Sequence, residues 1–146
     1  MSVVAATISH LRANAGVNLY VGKRIYRTVV PANAALPYVT VQGLGGTTHE
    51  HYQGGVAGMR GSRLQINCYA ADANTAGDAW ETIRLALDGL AHTTLGAAPY
   101  DVSNATVMIE DHFDDYEEPR DASDRGTFSV KSEWHVWREE AVPVRV

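Results

Sequence analysis

Two stretches of this chain alternate apolar and polar residues with a period of two, and that alternation constrains the fold more than any other feature. In Arg63–Ala70, Leu64, Ile66, Cys68 and Ala70 fall on one side and Arg63, Gln65, Asn67 and Tyr69 on the other. In Thr127–Arg138, Phe128, Val130, Ser132, Trp134 and Val136 share one side, opposite Thr127, Ser129, Lys131, Glu133, His135 and Trp137. A period of two is the signature of a half-buried strand, whose apolar side must be covered by another layer. The chain has 146 residues and a single cysteine, Cys68. That length suits one domain, read here as residues 1–146 with 141–146 a loose tail, able to build a core without disulfides. A lone thiol fits a reducing compartment.

The remaining elements follow from spacing. Val4, Ile8, Leu11 and Ala15 form one helical stripe, with Ser2 or a neighbour as cap and Gly16 as the expected stop. Arg24-Ile25-Tyr26 is a short extended piece, and Val29–Leu36 is a surface loop between Pro31 and Pro37. Pro37–Gln42 is a strand by its β-branched content. Seven glycines within Gly43–Gly61 predict a long mobile loop or a loosely twisted hairpin end, ordering when a partner docks. Asp72, Asn74 or Thr75 caps a long helix with Ala76, Ala79, Trp80, Ile83, Leu87 and Leu90 on its apolar face. Ala105–Ile109 is a third strand, paired as a hairpin with the last one across an acidic loop. The expected fold is α+β: a small, mainly antiparallel or mixed sheet with two helices packed on one face.

Charge is divided unevenly. Residues 1–63 hold six Lys/Arg and one acid, whereas residues 64–146 hold six Lys/Arg and sixteen acids. Glu110–Asp124 alone carries eight acids against Arg120. Such a run is either a solvated, self-repelling loop or one side of an interface with opposite charge across it. Head-to-tail association of identical subunits would use the asymmetry. An acidic domain is poorly suited to wrapping DNA, because phosphates require cations. Met1-Ser2 opens a mixed segment rather than a basic one followed by an apolar core, which argues against a secretory signal. Thr28–Thr48 lacks charges but is too polar and too broken by proline to span a bilayer.

No residue set commits the chain to catalysis, a metal or a cofactor. His49 and His51 would share a face on a strand, but no Cys/His cluster completes a zinc set. Cys68 lies on the apolar side of its strand, as inert buried thiols do. Gly43-Leu44-Gly45-Gly46 follows a strand, yet no Gly-Lys-Ser/Thr follows, so neither a phosphate loop nor a dinucleotide fingerprint is present. The acids of 110–124 could offer a carboxylate pair for glycoside chemistry, but they sit in a turn-like segment rather than on rigid elements. They also lack the glycine and closing glutamate of a calcium loop.

The order of features resembles a known family. A short N-terminal helix precedes Val21-Gly22-Lys23-Arg24-Ile25-Tyr26, and a proline-bearing loop leads into Leu36-Pro37-Tyr38-Val39-Thr40-Val41. A glycine-rich stretch leads to Arg63–Ala70, directly before a helix containing Ala79-Trp80 and Ile83–Gly89. An acidic Asp114-Asp115-Tyr116-Glu117 then precedes the strand Phe128 to Arg138. Over about residues 3 to 140 this is similar to the tail-completion, or tail-terminator and tail-to-head joining, proteins of long-tailed bacteriophages, prophages and gene transfer agents. The resemblance implies a structural virion protein, made in the host bacterial cytoplasm, that forms a ring, usually a hexamer, at the head-proximal end of the tail. The ring would cap the tail tube protein and meet the head-neck connector or stopper protein, with DNA passing through unbound and no membrane involved. The expected interface sets Arg24, Arg27, Arg60 and Arg63 of one subunit against Asp114, Asp115, Glu117 and Glu118 of the next, with Tyr52, Met59 and Tyr116 as buried anchors. The competing expectation is a small prophage-encoded hydrolase or metal-binding enzyme using His49, His51 or the 110–124 carboxylates.

Overall fold

The computed structural model describes residues 2–52, 55–119 and 126–139, and the side chains of these except 45–60 and 139. Among them are three helices, α1 (Val3–Arg12), α2 (Ala15–Val21) and α3 (Ala73–Leu87). The strands are β1 (Ile25–Arg27), β2 (Tyr38–Tyr52), β3 (Gly55–Ala70), β4 (Thr93–Leu95), β5 (Val102–Glu117) and β6 (Thr127–Glu139). They form one sheet in the order β1-β2-β3-β6-β5-β4. Every described pairing is antiparallel except β1 with β2, so the sheet is mixed. The α+β class is as expected, but a third helix joins the expected two.

The extra helix arises from Asn14. Its side chain accepts the Val17 amide at 3.0 Å and opens α2, so α1 ends at Arg12 and Gly16 lies inside α2 rather than stopping α1. A side-chain acceptor at this position satisfies one of the amides a helix start leaves free. Ser2 does the same for α1 through the Ala5 amide, and Asp72 for α3 through the Thr75 amide.

The alternation of β3 and β6 holds for most positions, with Phe128 only partly buried on the apolar side and Asn67 and Ser129 buried on the other. Leu64, Ile66, Cys68 and Ala70 are buried, as are Val130, Ser132, Trp134 and Val136. Register aligns them across the sheet: Val39 opposite Cys68 and Cys68 opposite Val130, Val41 opposite Ile66 and Ile66 opposite Ser132, Leu64 opposite Trp134. Residues directly opposite share a face, so these rows make one apolar surface. Helix α3 packs on β3 and β6 with Ala76, Ala79, Trp80, Ile83 and Leu87 buried, and α1 packs on β1 and β2. Ser132 is the polar tie in this core. Its hydroxyl donates to the Ile66 carbonyl at 2.7 Å and accepts the Trp134 indole N–H at 2.8 Å.

Helix α1 also reaches the far end of the sheet. Ser9 Oγ accepts the Ala97 amide at 3.1 Å, just beyond β4. Gly96 has φ +84°, and a Cβ there would stand 2.8 Å from the Ala6 carbonyl oxygen, so only glycine permits this approach. One helix thus touches both margins of the sheet.

Two expected loops are strands. The glycine-rich stretch is paired backbone over most of its length, with His49 opposite Arg60 and His51 opposite Val56, so the mobile-loop expectation gives way to the hairpin one. Glycine carries no alternating side-chain pattern, which is why a strand there is silent in sequence. Most of the acidic segment is strand as well: β5 runs to Glu117, and residues Asp111 to Glu117 pair one by one with Glu133 back to Thr127. Arg120, Asp121 and Asp124, and the tail 141–146, lie outside the described residues.

Ser132→Ala removes one hydroxyl yet leaves the buried Trp134 N–H without its acceptor. Urea denaturation should show a loss of about 1–3 kcal/mol. Trp134→Ala, which also opens a cavity, should cost about 3–5 kcal/mol.

Candidate functional site

The sheet ends in two margins of unlike chemistry. At one, β1 is the last strand, and the basic residues Lys23, Arg24 and Arg27 lie in or beside it. At the other, β4 pairs with β5 only at Val102 and Ala105 among the described residues. The acidic half of β5 is therefore an exposed edge. Charged side chains on such an edge discourage indiscriminate strand pairing.

At the basic margin a cavity of about 520 Å³ opens between α1, residues at either end of β1 and the segment after β4. Ala5, Ile8 and Ala13 of the α1 region, with Ala97 and Tyr100, supply apolar surface. Arg12, Lys23 and Arg27 supply three cations, and no carboxylate lines the cavity among the described residues. Arg12 is anchored by donating to the Ile25 carbonyl at 2.7 Å. Lys23 and Arg27 are exposed and form no salt bridge among the described residues. Tyr100 is 57% exposed, and Val29, two residues beyond Arg27, is 76% exposed.

At the acidic margin Asp111, Asp114, Glu117 and Glu118 are exposed and likewise unbridged among the described residues. Phe113 and Tyr116 stand half exposed beside them. Tyr116 stacks on Phe128 at 4.6 Å, and His112, opposite Ser132, turns to the helix side and stacks on Trp80 at 4.4 Å.

Between the margins lies the sheet face that carries no helix. Tyr26, Tyr38 and Tyr69 form an aromatic run there, with centroids 6.0 and 5.0 Å apart. Burial, ahead of the neighbouring tyrosines and Glu117, raises the Tyr38 hydroxyl above its ordinary pKa. Farther along, Arg63 bridges Glu133 at 2.9 Å and Glu110 at 3.4 Å, while His135 donates to Glu110 at 3.0 Å and stacks on Trp137 at 4.6 Å.

The expected interface residues are thus distributed rather than clustered. Arg27, unbridged among the described residues, is at the basic margin, and Asp114, Tyr116, Glu117 and Glu118 are at the acidic one. Arg24 is engaged within the chain, donating to the Pro37 carbonyl at 2.8 Å, and Arg63 is held by its two glutamates. Asp115 is bridged to Lys131 at 2.9 Å. The side chains of Tyr52, Met59, Arg60, His49 and His51 lie outside the described residues. Arg12, Lys23, Ala97 and Tyr100 did not stand out in sequence; three separate segments meet to make that cavity. Among the described residues no three His, Cys, Asp or Glu side chains are grouped as metal ligands, and no helix is long and apolar enough to cross a membrane. Burial pushes the Cys68 thiol well above its ordinary pKa, which leaves it without thiolate to react.

With the fold and its charged margins described, comparison with known proteins assigns the class. The family described as tail completion protein gp17 matches residues 5–131, and the chain belongs to that family. Membership makes it a structural protein of phage tails. A solved structure described as the virion of a native gene transfer agent particle shares the fold: TM-score 0.66, 19% identity, 93% of this chain and 94% of that one covered. No curated protein matches.

The Asp115 carboxyl is held below its ordinary value of 3.8, first by the hydrogen bond from Lys131, then by the Tyr116 amide and the Lys131 charge. The same bond raises Lys131. A depressed carboxyl stabilises the fold above its ordinary value and loses that contribution as pH falls through the depressed one. Lys131→Met should let Asp115 titrate upward toward 3.8, read by carboxyl-carbon NMR, and should flatten the acid limb of stability.

Proposed function

We propose that the chain closes the head-proximal end of a phage-type tail as a ring of identical subunits. The ring ends growth of the tail tube, presents a surface to the neck proteins of the head, and leaves a channel through which DNA passes without specific contact. The observation that carries this reading is the family match across residues 5–131, from a family described by tail completion. The fold shared with a chain of a gene transfer agent virion particle agrees with it.

The margins suit the task physically. One edge of the sheet is basic and the other acidic, so a contact from edge to edge is between unlike patches, as ring closure requires. Of the proposed contacts, Arg27 meets Asp114, Glu117 and Glu118 of the next subunit, while Arg24, Arg63 and Asp115, each engaged within its own chain, support the surface from behind. Exposed ion pairs contribute only about 0–1 kcal/mol each, so charge sets register and rate, while burial of apolar anchors such as Tyr116, Tyr52 and Met59 supplies affinity. Neck and tube proteins meet the two faces of the ring. Of the bond-breaking alternative, the described carboxylates at 110–118 stand exposed along a strand rather than in a cleft.

Particles made without this protein should accumulate DNA-filled heads and unattached tails with tubes of irregular length, seen by negative-stain electron microscopy. Normal joined particles in the deletion strain would remove the proposal.

A further inference from the structure

The cavity at the basic margin and the acidic strand end are matched in both charge and character. The cavity offers three cations and, among the described residues, no carboxylate, with apolar surface from Ile8, Ala97 and Tyr100. The strand end offers Asp111, Asp114, Glu117 and Glu118, all unbridged among the described residues, interleaved with half-exposed Phe113 and Tyr116. The cavity is an open depression of about 520 Å³, wide enough to seat an aromatic ring with a flanking carboxylate against its wall.

We propose that this cavity is the socket for the acidic, aromatic end of β5, residues Asp111–Glu118, from a second copy of the chain. The proposal rests on the ring reading and makes it specific. The carboxylates approach Arg12, Lys23 and Arg27, and an aromatic side chain of the strand covers the apolar part beside Tyr100. The match is made from opposite margins of one sheet, so each copy gives a strand end and receives another, and the contact repeats head to tail. Aligned opposite charges steer the encounter and penalise a reversed one. Arg12 suits the inner position because its guanidinium is already fixed on the Ile25 carbonyl.

The test uses full-length protein carrying two opposite exchanges. Lys23→Glu with Arg27→Glu makes the socket acidic, and Asp114→Lys with Glu117→Lys and Glu118→Lys leaves the strand end with three lysines against Asp111 and the bridged Asp115, hence basic. Each of these two variants alone should self-associate roughly tenfold more weakly than the original protein in sedimentation velocity at low salt. An equimolar mixture should recover association, because each variant then offers what the other lacks. Lys23→Ala with Arg27→Ala, checked by circular dichroism, guards against a folding defect. In parallel, a peptide of residues 110–119 is titrated into each protein, with a DNA duplex as comparison.

Loss in each variant with recovery in the mixture supports the socket. So does peptide binding that disappears in Lys23→Glu/Arg27→Glu. Variants that assemble like the original, or a mixture that does not recover, overturn it. Preference of the cavity for the duplex over the peptide overturns it in favour of a phosphate contact. Original protein that stays monomeric yet binds the peptide removes spontaneous ring formation and keeps the socket. Rings indifferent to both exchanges keep the ring and remove the socket.

Discussion

Burial of one face of the sheet under α3 and α1 is the constraint on which the remaining structure depends. The rows Val39–Cys68–Val130 and Val41–Ile66 are apolar because helices lie over them, with Ser132 beside Ile66 as a hydrogen-bonded polar tie. Each fully buried aliphatic side chain contributes about 1.5–3 kcal/mol, so the layer contact outweighs any single polar interaction in the molecule. With that face occupied, the chain has only the other face and the two margins with which to meet anything else. Its exposed aromatic and charged residues are found there.

Legibility in sequence followed the strength of the side-chain pattern. β3 and β6 could be read residue by residue, because alternation is imposed by a sheet half in water. α3 was equally plain from its apolar face and an acid placed to cap it. α2 was obscured by Gly16, which resembles a helix stop until Asn14 is seen to start a new turn. β4 is three residues long and leaves no periodic trace. The acidic half of β5 resembled a loop because aspartate is disfavoured in strands. It is a strand because β6 supplies a partner at nearly every position and Lys131 offsets one of the acids.

The same logic divides the candidate site. The acids of β5 and the cations Arg24 and Arg27 were visible as a lopsided charge distribution along the chain. The cavity was not, because Arg12, Lys23 and Tyr100 belong to three segments that become neighbours only in the folded molecule. A run of like charge is a linear property, whereas a socket is made by chain crossing. The arginines also show why a charge count overstates what is available for contact: Arg24 and Arg63 spend their donors within their own chain, leaving Lys23 and Arg27 to face outward.

The bond between Ser9 and Ala97 spans 88 residues. During synthesis α1 leaves the ribosome well before β4, yet one of its surfaces has nothing to rest on until the chain beyond β4 has emerged. The rim that carries Arg12 and Tyr100 is therefore completed only once the segment beyond β4 is in place. A polypeptide that ends before Tyr100 cannot form it, so such a fragment offers no complete surface to its neighbours.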